Sequence, residues 1–148
     1  MGTPSDDWVN RGELMYSKRI SHYMPFEFKA ITASKNKTPS QVLQEEGRWL
    51  MRQFDQVPSK VILLDERGPQ LTSVQFANKL DQWRQGSYKQ LVFVIGSAYG
   101  FSEELQNRAD GLLAISTMTL PHQLCRVLML EQLYRACTIL KGESYHHE

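Results

Sequence analysis

Lys60-Val61-Ile62-Leu63-Leu64-Asp65-Glu66-Arg67-Gly68-Pro69 sets four aliphatic residues in a row and ends them with a charged Gly-Pro turn. A short, continuous apolar run bounded by turn chemistry reads as a strand buried on both faces, here over 60–65. The pattern returns at 91–95, before Gly96-Ser97-Ala98-Tyr99-Gly100, and in shorter form at 112–116. Helical patterns lie between and after these strands. Ser73 can cap a helix with Phe76, Leu80 and Trp83 on one stripe, and Ser102 caps a short helix with Glu103 and Glu104 in its first turn. Pro121 opens a long helix that stops near Gly142. Upstream, Asp6 or Asp7 can cap a first helix running to about Tyr23, with Trp8, Met15 and Tyr23 on one face. Phe26, Phe28 and Ala30 alternate with Glu27 and Lys29, which reads as a strand over 26–32. A polar loop at 34–37 leads to Thr38-Pro39, an N-cap and first-turn proline opening a helix over 39–55 that buries Leu43, Leu50 and Phe54. Strands that alternate with helices from 26 to 142 predict an α/β fold with a mostly parallel sheet and helices on both faces.

The chain has 148 residues, 41% hydrophobic and 22% charged, which fits one ordinary globular domain over 1–148. Its net charge is +1, and neither half is a basic arm, so nucleic-acid binding by bulk charge is excluded and any such role needs a local site. No apolar run is long enough to span a membrane and no signal peptide is visible. Two cysteines without a CxxC exclude a disulfide scaffold or a Cys-rich zinc site and fit a reducing cytoplasm.

In parallel sheets ligands sit outside the carboxyl ends of the strands. Loops 65–70, 96–101 and 116–121 occupy those ends and are expected to converge on one pocket. The glycines of 96–100 allow close backbone approach to a ligand or simply make a tight turn; there is no Walker lysine motif and no G-x-G-x-x-G. Ser116-Thr117-Met118-Thr119-Leu120-Pro121 offers backbone donors, hydroxyls and apolar side chains. It can hold an adenine, or it can be a capping loop with Thr119 as N-cap. His122 reads as a structural hydrogen-bonding residue. His146 and His147 point apart in regular structure, so no metal site is expected. Cys125 and Cys137 read as structural thiols. The helix after Pro121 is apolar around nearly its whole circumference and must be buried all round, which one side on the sheet and the other on a second subunit would achieve. Arg126, Glu131 and Arg135 interrupt it and need partners or a site.

Five segments, in order, carry a resemblance over nearly the whole chain. They are Leu63-Leu64-Asp65-Glu66-Arg67-Gly68, the run from Phe93 to Ser102, Met118-Thr119-Leu120-Pro121-His122-Gln123, Glu131-Gln132-Leu133-Tyr134-Arg135-Ala136 and Tyr145-His146-His147-Glu148. Together they resemble the RlmH family of SPOUT-class methyltransferases, which act on a pseudouridine of 23S ribosomal RNA. The resemblance implies a C-terminal trefoil knot, a homodimer, S-adenosylmethionine as methyl donor, and N3 methylation on the ribosome. DNA and membranes are not among the implied partners. By position, Leu64, Gly96, Ile115, Ser116, Thr117, Met118, Thr119 and Leu120 would line the cofactor pocket. Arg135, Tyr145 and His146 would serve RNA recognition or methyl transfer, with the tail near the partner subunit's cofactor.

Two departures from the family pattern stand out. Gly96-Ser97 replaces a common Gly-Gly; if the second position needs a positive φ, the serine is strained by about 1–2 kcal/mol. Family members also usually begin with a short apolar strand ending in a glycine, and this chain starts near that glycine, so an N-terminal strand is expected to be missing. Two rival functions remain at this stage: a SPOUT methyltransferase acting on another RNA base, such as one in tRNA, and a non-catalytic nucleotide-binding module associated with the ribosome.

Overall fold

The computed structural model describes residues 4–31 and 38–147. In chain order the elements are α1 (Pro4–Ile20), α2 (Pro39–Gln56), β1 (Ser59–Leu64), α3 (Ser73–Arg84), β2 (Gln90–Ile95), α4 (Glu103–Arg108), β3 (Gly111–Leu113) and α5 (His122–Lys141). They group into two compact units. A sheet unit holds 29–70 and 85–119; a helical unit holds the chain up to Phe28, Leu71–Arg84, and everything from Leu120.

The sheet unit carries a parallel three-stranded sheet in the order β2-β1-β3. The expected α/β class and parallel pairing are present. Val61, Ile62 and Leu63 of the central strand are all buried, as a continuous apolar run requires. Val61, Leu63 and Val94 meet Phe54 of α2 and Leu105 of α4 in one apolar cluster. Thr38 opens α2 with a reciprocal capping box to Gln41 and Pro39 behind it. Ser102 caps α4, its hydroxyl accepting from the Leu105 N–H.

In the helical unit α5 packs against both α1 and α3. Met129, Leu130, Leu133, Ala136 and Cys137 form its buried side. A Cβ on Gly12 of α1 would stand 3.2 Å from Val127 of α5, so glycine lets the two helices approach closely. All three charges interrupting α5 have partners within this unit on the same or a neighbouring helix. Arg126 Nε lies 2.8 Å from Glu13 Oε1 of α1, off the hydrogen-bonding axis, and Arg135 pairs with Glu131 one turn earlier. Gly142, at φ 69°, ends α5: its N–H reaches Ile139 O and the Glu143 N–H reaches Thr138 O, a Schellman turn.

Several expectations are corrected. Residues 26–31 form no strand; Phe26 and Phe28 are half-buried beside exposed Glu27 and Lys29, but Ala30 is exposed too, and one-sided burial does not supply a pairing partner. Thr32 and the loop 34–37 lie outside the described residues. The first helix starts at Pro4, so Asp6 and Asp7 are not its cap, and it ends at Ile20. Its inward stripe is Val9 and Ile20, with Gly12 and Tyr16 between them; Trp8 and Met15 are exposed. The cap of α3 is Thr72, paired reciprocally with Gln75, while the Ser73 hydroxyl donates to Gln132 Oε1 of α5. The third strand begins at Gly111 and stops at Leu113, leaving Ile115 and Ser116 in the loop.

Candidate active site

The strand register decides where the sheet unit can hold a ligand. Leu64 is level with Ile95 on one side and with Leu113 on the other. The chain therefore leaves all three strands along one edge, at Asp65, Gly96 and Ala114. The Asp65–Arg67 turn is self-locked: the Arg67 guanidinium grips both carboxylate oxygens, at 2.8 and 2.7 Å, and the Arg67 N–H adds a third bond. Those contacts, the Arg67 hydrogen bonds first, hold the Asp65 carboxyl below its ordinary range despite burial. Thr119 Oγ1 donates to Glu66 Oε2 at 3.1 Å, which clasps the third loop to the first. Thr119 is thus no N-cap; Pro121 holds that position in α5 without a side-chain bond. Ser116 Oγ accepts from the Met118 N–H, a turn that leaves Thr117 and Met118 exposed, the latter by 74%.

The middle loop is built for close approach. A Cβ on Gly96 would stand 2.9 Å from the Gly100 carbonyl oxygen and 3.1 Å from the Phe101 ring. Positive φ falls on Gly100, at 81°, and no described non-glycine residue has one, so the expected strain at Ser97 is absent. The Ser97 hydroxyl is instead buried without a hydrogen-bond partner. A small apolar hollow beside this loop is lined by Leu43, Gly47, Leu50, Val94, Gly96 and Phe101. Only the middle loop of the three borders it.

Of the expected cofactor residues, Leu64, Gly96, Ile115, Ser116, Thr117, Met118 and Thr119 therefore lie at the carboxyl edge of one sheet or in the loops leaving it, and Leu120 starts the helical unit. The other three expected residues come together in the helical unit. The Schellman turn at Gly142 sends the tail back along α5. Tyr145 meets Tyr134 edge-on, ring centres 4.7 Å apart, and Arg135 lies 4.7 Å from the Tyr145 ring centre. Arg135 Nε and Nη2 both donate to Glu131 Oε1, and the Tyr145 hydroxyl donates to the same oxygen at 3.2 Å. Arg135 Nη1 stands 3.3 Å from His146 Nδ1. An arginine can only donate, so His146 Nδ1 is the acceptor in this contact. Burial, then hydrogen bonds and charge from Tyr16 and Glu131, push the Tyr145 phenol up to about 12. The tail is therefore anchored rather than frayed. Residue reading missed Glu131, Tyr134 and Tyr16 as its anchors. The Glu131–Arg135 spacing of one helical turn was the available signal, whereas Tyr16 is far away in sequence. No metal-binding group of His, Cys, Asp or Glu exists among the described residues, and Glu148 lies outside them. His122 is exposed at the start of α5, Cys137 is buried, and burial raises the Cys125 thiol.

The family model described as a predicted SPOUT methyltransferase matches residues 1–146. The chain belongs to that family. It is 43% identical to the ribosomal RNA large subunit methyltransferase H of Cytophaga hutchinsonii over 99% of its own length and 96% of that protein. It is 41% identical to the protein of that name from Geobacter sulfurreducens over 99% of its length and 95% of the relative. It is 40% identical to the one from Parabacteroides distasonis over 90% and 86%. Membership places the chain in the RlmH branch of SPOUT methyltransferases.

Proposed function

We propose that the protein transfers a methyl group from S-adenosylmethionine to N3 of a pseudouridine in 23S ribosomal RNA, on the ribosome, in the cytoplasm. Family membership across the whole chain carries this reading. The carboxyl edge of the sheet fits the cofactor on its own evidence. A glycine there sits where any side chain would collide, an adjacent hydroxyl is buried without a partner, and the loop exposes Thr117 and Met118. Leu64, Gly96 and the loop from Ile115 to Leu120 would hold it, as one knotted SPOUT domain in which the second and third loops belong to the knot. S-adenosylmethionine, when bound, supplies a sulfonium methyl that is already a strong electrophile.

The chain's own residues then have to position the base and stabilise the charge that appears when its N3 proton leaves. Arg135 spends Nε and Nη2 on Glu131, which fixes the plane of the guanidinium; Nη1 turns one N–H to His146 and has its second for a base oxygen or a phosphate. His146 turns Nδ1 to Arg135, which leaves Nε2 to meet the base. Tyr145 stays protonated far above neutral pH and contributes a ring face and a hydroxyl, not a base. A homodimer would bring the anchored tail of one subunit to the cofactor of its partner. Support for it comes from α5, whose Leu124, Val127, Leu128, Ile139 and Leu140 remain only half-buried within one chain, and from exposed Trp8, Leu14 and Met15 on α1.

The test is transfer of label from methyl-labelled S-adenosylmethionine to ribosomes lacking the modification, with bulk tRNA as competitor. Label in large-subunit RNA supports the reading; label in tRNA favours the sister activity on another base. Binding of the cofactor without any transfer would leave a non-catalytic module. Light scattering should give twice the 17.1 kDa chain mass.

A further inference from the structure

A protein of net charge +1 needs a local grip on RNA, and the residues assigned so far supply little free charge. Arg135 is neutralised by Glu131. The last turn of α1 is different. Lys18 and Arg19 are exposed there, and neither pairs with an acidic side chain among the described residues. The exposed Arg11 of the same helix is already paired with Asp7 at 3.0 Å. Arg19 is also fixed in place. Its guanidinium carbon stands 5.9 Å from the ring centre of Tyr16 and 5.3 Å from that of Tyr134. Tyr134 is the ring that Tyr145 meets edge-on, and Arg135 covers Tyr145. A continuous row therefore runs Arg19, Tyr134, Tyr145, Arg135, all within the helical unit. Of the acidic side chains near this row, Glu131 is taken by Arg135 and Tyr145, and Glu143 accepts from the hydroxyl of Tyr23, which stands edge-on to Tyr134. A guanidinium stacked on a ring keeps its N–H edge free, and such an edge takes a phosphate by two parallel bonds.

We infer that Lys18 and Arg19 are a phosphate-binding extension of the tail site, gripping the backbone of the RNA whose base is offered to Tyr145 and Arg135. The inference rests on the reading of the chain as an RNA methyltransferase, and it adds an anchor on α1 outside the residues that reading assigns. Phosphate contacts fix register and orientation, and the base is read next to them.

The experiment measures equilibrium binding of the full-length protein to unmethylated large ribosomal subunits across a salt series. Wild type is compared with the double variant Lys18→Ala, Arg19→Ala, with Arg19→Lys, and with Arg48→Ala on the exposed side of α2. The double variant should bind roughly tenfold more weakly, and its log–log salt slope should fall by about 1.4–1.8, the loss of two contacts. Arg19→Lys should keep the slope and lose part of the affinity, which also guards against a folding defect in the double variant. Cofactor affinity and Arg48→Ala should match wild type. An unchanged slope in the double variant, or an equal loss in Arg48→Ala, overturns the inference while the methyltransferase reading stands. Wild-type protein that neither binds nor methylates the subunit overturns both.

Discussion

Replacing Glu131 with alanine removes the acceptor that organises the tail site. Glu131 Oε1 takes two bonds from Arg135 and one from Tyr145, and Oε2 takes one from Gln132. An exposed ion pair contributes about 0–1 kcal/mol, whereas stripping one partner from a buried pair costs about 3–5 kcal/mol. The Arg135 and Glu131 side chains are 24% and 15% exposed, between those limits. The loss should be about 2 kcal/mol, which lowers the melting temperature of a chain this size by about 4–8 °C. The tail then loses its anchor and Arg135 its fixed plane. A displacement of about 1 Å at a positioning residue can cost about 100-fold in rate, so methylation of ribosomes should fall on that scale. Cofactor affinity, read by calorimetry, should stay within a few-fold, because Glu131 holds the tail of the helical unit and has no part in folding the sheet unit's loops. Thermal melting, calorimetry and single-turnover methylation read the three effects separately. Full methylation together with an unchanged melting temperature would refute the claim that Glu131 holds the site together.

Gly96→Val should abolish measurable cofactor binding in calorimetry, since even its Cβ would crowd the Gly100 carbonyl at 2.9 Å; retained binding would place the cofactor elsewhere. Ser97→Ala should leave the melting temperature of the free protein equal or higher, because it removes an unsatisfied buried hydroxyl, yet weaken cofactor binding several-fold. A drop in stability of the free protein would mean that the hydroxyl is structural. Gly142→Val forces a branched residue to φ 69° and should cost at least about 1 kcal/mol, with tail-dependent methylation lost beforehand; equal melting curves would contradict the Schellman anchor. Tyr145 has a folded pKa of about 12, above its ordinary value of 10.0, so the stability it contributes is complete below pH 10 and is lost as pH rises towards 12. Tyr145→Phe should flatten the alkaline fall in melting temperature over that window, and an unaltered slope would contradict the environment described for the phenol.

The parts of the fold that could be read from sequence are those whose cause is local. Val61 to Leu64 and Leu91 to Ile95 are continuous apolar runs and both pair as strands, but only the central one is buried along most of its length; at the sheet edge Val94 alone of the second run is buried. Thr38-Pro39 and Gly142 act through their own backbone geometry. The failures need partners far away in the chain. Residues 26–31 alternate correctly but find no strand to pair with. Trp8 and Met15 look like a core face because they are large, whereas α1 actually turns Val9, Gly12 and Ile20 inward and Gly12 fits closely against Val127. Thr72 and Ser73 are both competent caps, and only the position of Gln132 on α5 recruits Ser73 elsewhere. The site divides in the same way. Leu64, Gly96 and the loop from Ile115 follow from strand ends in a parallel sheet. The anchoring of Tyr145 by Tyr16, Tyr134 and Glu131 depends on how α1 and the tail meet α5, which no local pattern encodes.

Methylation at N3 can be read by mass spectrometry of nucleosides and fragments from 23S ribosomal RNA, after unmodified ribosomes are incubated with the purified protein and S-adenosylmethionine. One added methyl group is expected, on N3 of a pseudouridine, that appears only with both cofactor and protein. Ribosomal RNA that remains unmethylated at that nitrogen, or a methyl found on a different base, would contradict the proposed function.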